Sequence, residues 1–224
     1  MLRLIEVGRE VVADIEGLRC GSLSIGTVQS LPAFLDLSAL IARFYELHPG
    51  IEVRLRQGDV SEVVDQLCAE KLDLAFLPLL DPPDEIVTGI VACEDLVVVT
   101  NPSHPLAGRS GVTLRELTAF PFVDFAIGWE TRPLIDRAFG NLGLQRRTIF
   151  DVTDLETIIN LVAYGLGIAL LPETIADLHV PRIAFGELAE PAICWELLVA
   201  HHRSDSANPA NAAAKAFMEL LDFF

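Results

Sequence analysis

The sequence is poor in positive charge. It has 16 Lys and Arg residues against 32 Asp and Glu residues, which gives a formal net charge of -16 at pH 7. Only Lys71 and Lys215 are lysines, and the arginines form no basic arm or stripe. A surface of this sign repels phosphate backbones and anionic lipids. We therefore expect that any contact with DNA is made outside this chain.

Paired cysteine motifs are also absent. Cys20, Cys68, Cys93 and Cys194 form no C-x-x-C pair, and each lies within an apolar stretch. This pattern predicts four buried thiols in a reducing cytoplasm. A redox-sensing pair is the alternative, and it would need an exposed thiol of low pKa with a resolving partner.

Long apolar runs are missing as well. The longest apolar stretch, residues 158–171, is interrupted by Asn160, Gly165 and Gly167 and is too short to span a bilayer. The N-terminus alternates charged residues instead of presenting the apolar core of a signal peptide. We expect a soluble, cytoplasmic protein without membrane contact.

The motifs of several enzyme classes do not occur. There is no H-E-x-x-H sequence, and His201-His202 has no third metal ligand in view. Residues 22–26 lack the first glycine of a nucleophile elbow and lie in a predicted strand. Residues 165–167 lack the third glycine of a dinucleotide-binding fingerprint. We expect no catalysis, no cofactor and no metal.

What the sequence does contain is alternating strand and helix patterns over 224 residues that are 51% hydrophobic. The first half begins with an amphipathic helix at 2–18. The elements predicted after it are a strand at 22–26, a helix from about Pro32 to Leu47, a strand at 51–55, a turn at 57–58, a helix opened by Asp59 and a strand at 73–77.

The second half repeats the order. Its predicted elements are strands at 96–100 and 121–125, a helix from about Pro133, a strand at 148–152, a helix opened by Thr153, strands at 167–171 and 194–201, and a helix at 212–221. This order predicts two α/β lobes with parallel sheets and right-handed crossovers, with the last strand and helix returning to the first lobe.

Such sheets bind ligands beyond the carboxyl ends of their strands, where helix N-termini point. In this sequence those edges fall at 27–30, 57–59, 127–132 and 152–153. We therefore expect a cleft between the lobes, ringed by exposed N–H groups and short polar side chains.

Several segments resemble one family, and their order and spacing cover nearly the whole chain. They are GSLSIG at 21–26 followed by Pro32, the helix-to-strand passage from Phe44 through His48-Pro49 to Ile51, KLDLAF at 71–76, HPLA at 104–107 and VAYGLGIALLP at 162–172. Together they resemble the effector-binding domain of LysR-type transcriptional regulators.

The resemblance implies a type-2 periplasmic-binding-protein-like α/β fold, with two Rossmann-like lobes joined by two crossing strands. It implies a linker-helix tail at 1–19, a first lobe at 20–94 and 195–224, and a second lobe at 95–194. It further implies a small-molecule effector in the cleft, and DNA contact through an N-terminal winged helix-turn-helix that this chain lacks. Assembly would be a homodimer or tetramer, through the helix after Ser30 and the partner's helix after Asp59.

The resemblance also implies a set of ligand-binding residues: Gln29, Ser30, Gly58, Asp59, Pro78, Phe125, Trp129, Thr131 and Thr153. Two of them depart from the family pattern. Asp59 stands where a small hydroxyl residue is frequent, and Pro78 stands where some aromatic-acid-sensing members place an arginine. Both departures argue against an acidic effector, and Arg132 is the only nearby cation that would favour one.

Other interpretations remain open at this point. Ser30, Asp59 and Thr153 would each be explained as helix N-caps, and Trp129 as a core aromatic. For the whole chain the alternatives are a periplasmic-type solute receptor and a small-molecule enzyme of the same fold.

Overall fold

The structure, a computed structural model, describes residues 20–28, 35–127, 129, 131–203 and 211–221. The helix predicted at 2–18 and the helix start predicted near Pro32 lie outside these residues. The described residues form two α/β lobes whose strands share one seven-stranded sheet, with a further pair of strands in the second lobe. No helix among them is both long and apolar enough to cross a membrane.

The first lobe is built on three parallel strands with helices between them. Its elements are β1 (Gly21–Val28), α1 (Leu37–Leu47), β2 (Ile51–Gly58), α2 (Val60–Cys68) and β3 (Leu74–Leu77). As the sequence predicted, β1 pairs in parallel with both β2 and β3. The turn predicted at 57–58 is wrong, because Gln57 and Gly58 continue β2 and pair with Thr27 and Val28.

Two antiparallel strands, β4 (Ile86–Thr100) and β9 (Cys194–His202), join the lobes. Residues 86–95 of β4 pair with β9, and β9 pairs on its other side with β3. The sequence predicted only the 96–100 part of β4. That part is buried throughout, whereas the part before it is, after Ile86, a mixture of exposed and half-buried residues.

The second lobe adds its own strands to the end of β4. Its elements are α3 (Leu114–Leu117), β5 (Pro121–Phe125), α4 (Thr131–Asn141), β6 (Arg147–Val152), α5 (Leu155–Ala163), β7 (Ala169–Pro172), α6 (Glu173–Asp177) and β8 (Ala184–Glu187). β5 and β6 are parallel, while β7 and β8 pair antiparallel with residues 96–100 of β4. The lobe limits given above stay a prediction.

The last helix, α7 (Ala212–Glu219), lies on the first lobe. The ring of Phe217 is fully buried, with its centroid 5.3 Å from that of Phe44 and 6.2 Å from that of Phe76. Asn211 caps the helix and donates from Nδ2 to Asp73 Oδ1 at 2.8 Å. These contacts hold the C-terminal part of the chain against the N-terminal sheet.

The cysteines differ from the expectation of four buried thiols. Cys93 on β4 and Cys194 on β9 form a disulfide, with Cα atoms 5.8 Å apart and a sequence separation of 101. Cys20 and Cys68 are free and exposed. Partial desolvation, with the nearby carboxylates of Glu85 and Asp65, raises the pKa of the Cys68 thiol. A raised pKa disfavours the reactive thiolate that a redox sensor needs.

A buried ion pair links Arg146, directly before β6, to Asp124 of β5. The Arg146 side chain is 5% exposed and the Asp124 side chain 1%, with 2.8 Å between Nε and Oδ2. The Thr148 hydroxyl donates to the same carboxylate oxygen at 2.6 Å. The guanidinium also lies over the rings of Phe122 and Phe139, at 5.7 and 5.3 Å. Because Arg146 is the cation paired with the buried Asp124 carboxylate, removal of Arg146 leaves that carboxylate without its ion-pair partner.

We expect Arg146→Met to lower the free energy of unfolding by about 3 kcal/mol, because it strands the Asp124 carboxylate. Urea denaturation monitored by circular dichroism measures this change. Arg137→Met is the matched control, since Arg137 pairs with Asp81 at the surface and its loss should cost less than about 0.5 kcal/mol. Equal losses in the two variants would show that the buried pair has no special role.

Candidate ligand-binding site

A cavity of about 310 Å³ lies between the two lobes. This volume is within the range of small-molecule sites. The first lobe and the strand β9 contribute Val28, Gly58, Asp59, Val60, Pro78 and Trp195. The second lobe contributes Phe125, Trp129, Thr131, Thr153, Leu155, Leu171, Pro172 and Ile175.

The ends of the strands explain why these residues meet. In both lobes several lining residues stand at the carboxyl ends of strands, as expected for open α/β sheets. Val28, Gly58, Phe125 and Pro172 are the last residues of β1, β2, β5 and β7, and Pro78 and Thr153 directly follow β3 and β6.

Seven of the nine residues predicted to bind a ligand line this cavity: Gly58, Asp59, Pro78, Phe125, Trp129, Thr131 and Thr153. Gln29 and Ser30 lie outside the described residues. The structure therefore brings together side chains that are up to 95 positions apart in sequence, from Gly58 to Thr153. That they contact a ligand stays a prediction.

Sequence reasoning missed several apolar residues of the lining, among them Leu171, Pro172 and Trp195. Leu171 and Pro172 form the end of β7, so the strand-end rule applied to every strand would have found them. Trp195 could not be found by this rule, because it is the second residue of β9 and not at the end of that strand. It lies where β9 pairs antiparallel with β4, between the lobes. The expectation of a ring of short polar side chains is therefore wrong for much of the wall.

Asp59 is the N-cap of α2, as predicted. Its Oδ1 accepts a hydrogen bond from the Glu62 backbone N–H at 2.8 Å and another from the Ser61 hydroxyl at 2.7 Å. These two bonds, the backbone one foremost, lower the pKa of the Asp59 carboxyl. The carboxylate is therefore ionised at neutral pH, at the edge of the cavity.

Thr153 does not cap α5, so the predicted T-x-x-E capping box is wrong. Asp154 is the N-cap, and its Oδ1 accepts from the Thr157 backbone N–H at 2.8 Å. The Thr157 side chain and N–H lower the pKa of the Asp154 carboxyl. Since carboxylates already accept from the first turns of α2 and α5, the expected ring of exposed N–H groups is also wrong at these two helices.

Aromatic rings form part of the second-lobe wall. Phe125 and Trp129 are stacked, with centroids 5.1 Å apart and planes 16° from parallel. Trp129 also packs against the second-lobe core. Trp129 is therefore both a core aromatic and part of the cavity wall.

Arg132 does not line the cavity. Its Nη1 donates to Asp151 Oδ1 at 2.7 Å and to the Phe125 carbonyl at 3.1 Å, and its Nε pairs with Asp136 Oδ2 at 3.1 Å. Two carboxylates thus compensate its charge. Among the described residues, no Lys or Arg side chain lines the cavity.

Comparison with known proteins identifies a family. The model of the LysR substrate binding domain matches residues 16–222. The chain is 30% identical over 221 residues to the uncharacterized HTH-type transcriptional regulator YvbU of Bacillus subtilis, covering 98% of this chain and 73% of that protein. It is 27% identical over 207 residues to the HTH-type transcriptional regulator CysB of Haemophilus influenzae, covering 85% of this chain and 63% of that protein.

Solved structures show the same fold. The effector binding domain of QuiR in complex with shikimate superimposes with a TM-score of 0.76 at 24% identity. That match covers 90% of this chain and 95% of the QuiR chain. At this identity the likeness concerns the fold alone.

We expect Asp154→Ala to lower Tm by about 2–4 °C, because the substitution removes the N-cap of α5. Thr153→Ala, one residue earlier, should leave Tm nearly unchanged. Thermal denaturation of both variants measures the difference. If Thr153→Ala were the more damaging change, Thr153 and not Asp154 would open the helix.

Proposed function

Because the chain belongs to the LysR substrate-binding domain family, we propose that it is the ligand-sensing part of a LysR-type transcriptional regulator. The observation that carries the proposal is the cavity, whose wall comes from both lobes and from β9 between them. A ligand that contacts both lobes stabilises their closed arrangement and shifts the equilibrium toward it. Gly58, Asp59, Pro78, Phe125, Trp129, Thr131 and Thr153 would contact the ligand, together with Gln29 and Ser30.

The remaining parts of the proposal follow from the relatives. YvbU and CysB are HTH-type transcriptional regulators, so we propose regulation and not catalysis, and a cytoplasmic location. The DNA contact would lie in the part of such regulators that this chain does not cover, in agreement with the formal charge of -16. The same relatives favour a regulator over a periplasmic-type solute receptor.

A thermal-shift screen with small acids, amines, sugars and nucleosides tests the proposal. A compound at about 100 times its Kd adds about 2.7 kcal/mol of stability, which raises Tm by about 5–10 °C for a chain of 224 residues. Thr153→Phe fills the cavity from an exposed wall position and should abolish this shift. Ser103→Phe, at an exposed site that is not part of the wall, should preserve it.

Small-angle X-ray scattering of the same samples supplies the second readout. The compounds that raise Tm should reduce the radius of gyration, because the lobes close on them. Compounds that stabilise Thr153→Phe equally would bind elsewhere. A set of ligands that bind in the cavity without changing the radius of gyration would contradict sensing by lobe closure.

We also propose that the chain forms a homodimer through α1 and the partner's α2. The apolar face of α1 buries Leu37, Leu40 and Phe44, but Tyr45 is 58% and Leu47 is 56% exposed. α1 also adjoins β2, which is an edge strand of the sheet. An apolar helix surface beside an open sheet edge favours coverage by another chain.

We expect Leu47→Glu to shift the protein toward monomer, because the carboxylate would be desolvated in the interface. Sedimentation velocity over a range of concentrations measures the dimer fraction. Leu178→Glu is the matched control, since Leu178 is 66% exposed but lies in the second lobe after α6. Equal effects of both variants would rule out α1 as the interface.

A further inference from the structure

The charge of the cavity wall is one-sided. Among the described residues, Asp59 is the only ionisable side chain in the lining, and Arg132 is held by Asp136 and Asp151 outside it. The residues next to Val28 and Trp129 that are not described, 29–34, 128 and 130, contain no Lys or Arg in the sequence. Among the described residues, the wall therefore has one negatively charged side chain and no Lys or Arg to attract an anion.

The N-terminus of α2 does not compensate for this lack. A helix N-terminus attracts anions through its free N–H groups and the positive end of its dipole. Here the Asp59 carboxylate already accepts from the Glu62 N–H, and its lowered pKa keeps it charged. The hydrogen bonds from the Ser61 hydroxyl and the Glu62 N–H both end on Oδ1 of this carboxylate.

The opposite wall is aromatic. The stacked rings of Phe125 and Trp129 lie in the second lobe, and Trp195 belongs to β9. Indole faces are the best aromatic partners of cations, and stacked rings also accept flat apolar groups. Much of the remaining wall is aliphatic, including Leu171 and Ile175. A ligand that fits this wall combines an apolar body with a hydrogen-bond donor or a positive charge.

We propose that the ligand of this cavity is a small organic cation, an apolar and preferably aromatic body that carries a protonated amine. The amine lies at the Asp59 carboxylate, and the body packs against Trp129 and Trp195. This inference rests on the proposed function, because it takes the cavity as the sensing site. The formal charge of -16 adds a long-range attraction for cations in solution.

Three probes of similar shape test the sign of the charge: 2-phenylethylamine, 2-phenylethanol and 3-phenylpropanoate. Both tryptophans of the chain, Trp129 and Trp195, line the cavity, so intrinsic fluorescence reports entry of each probe. We expect the amine to bind most tightly, the alcohol less tightly and the carboxylate least. Tightest binding of the carboxylate, or no binding of the amine, would overturn the inference.

Two matched variants test whether the preference for the amine comes from the Asp59 carboxylate. Asn caps helices about as well as Asp, so Asp59→Asn removes the charge and keeps the cap of α2. We expect it to weaken amine binding about fivefold and to leave alcohol binding unchanged. Asp154→Asn makes the same change at the α5 cap, which is not part of the wall, and should leave all three affinities unchanged.

The outcomes separate this inference from the proposed function. If metabolites in the thermal-shift screen bind in the cavity and close the lobes but are anions, the sensor stands and the ligand class is wrong. If no compound of any charge binds in the cavity, both are wrong. Equal amine affinities of the wild type and Asp59→Asn would also overturn the role of Asp59.

Discussion

The antiparallel pairing of β4 with β9 is the constraint on which the rest of the structure depends. These strands carry the chain between the lobes in opposite directions, and their pairing extends from Ile86 opposite His202 to Asp95 opposite Cys194. β3 and the second-lobe strands attach to their two ends. The cavity exists only because this connection places the strand ends of one lobe opposite those of the other. In the proposed sensing mechanism, lobe closure would rotate the lobes about this same connection.

Each lobe supplies the cavity by the same local geometry. A parallel strand ends, the chain turns, and a helix begins, so that short connections accumulate at one edge of each sheet. Gly58 and Asp59 occupy this position in the first lobe, and Val152 to Asp154 occupy it in the second. The helix that follows needs an acceptor for its first N–H groups. At α2 the capping residue Asp59 therefore also lines the cavity, whereas at α5 the lining residue is Thr153, directly before the cap Asp154.

The sequence predicted the lobes well because each strand and helix carries its own local signal. Apolar alternation located β1 and the buried run located β5, and the order of these elements implied two lobes. Features that depend on distant parts of the chain were not predictable in this way. The first part of β4 gains its strand structure from pairing with β9, and Trp195 reaches the cavity through that pairing. At residues 153 and 154 two adjacent capping residues competed, and local pattern alone favoured the wrong one.

The identity of a cap can change the character of a site without changing the fold. Ser and Asp cap helices about equally well, so either residue at position 59 satisfies the same N–H group. A hydroxyl leaves the positive end of the helix dipole uncompensated, which favours an anion, whereas a carboxylate cancels it and adds negative charge. In this chain the cap is Asp59, and the second-lobe Arg132 is bound by Asp136 and Asp151. Under the proposed cation binding, the architecture provides the cavity and the charge of the residue that caps α2 would decide the sign of the ligand.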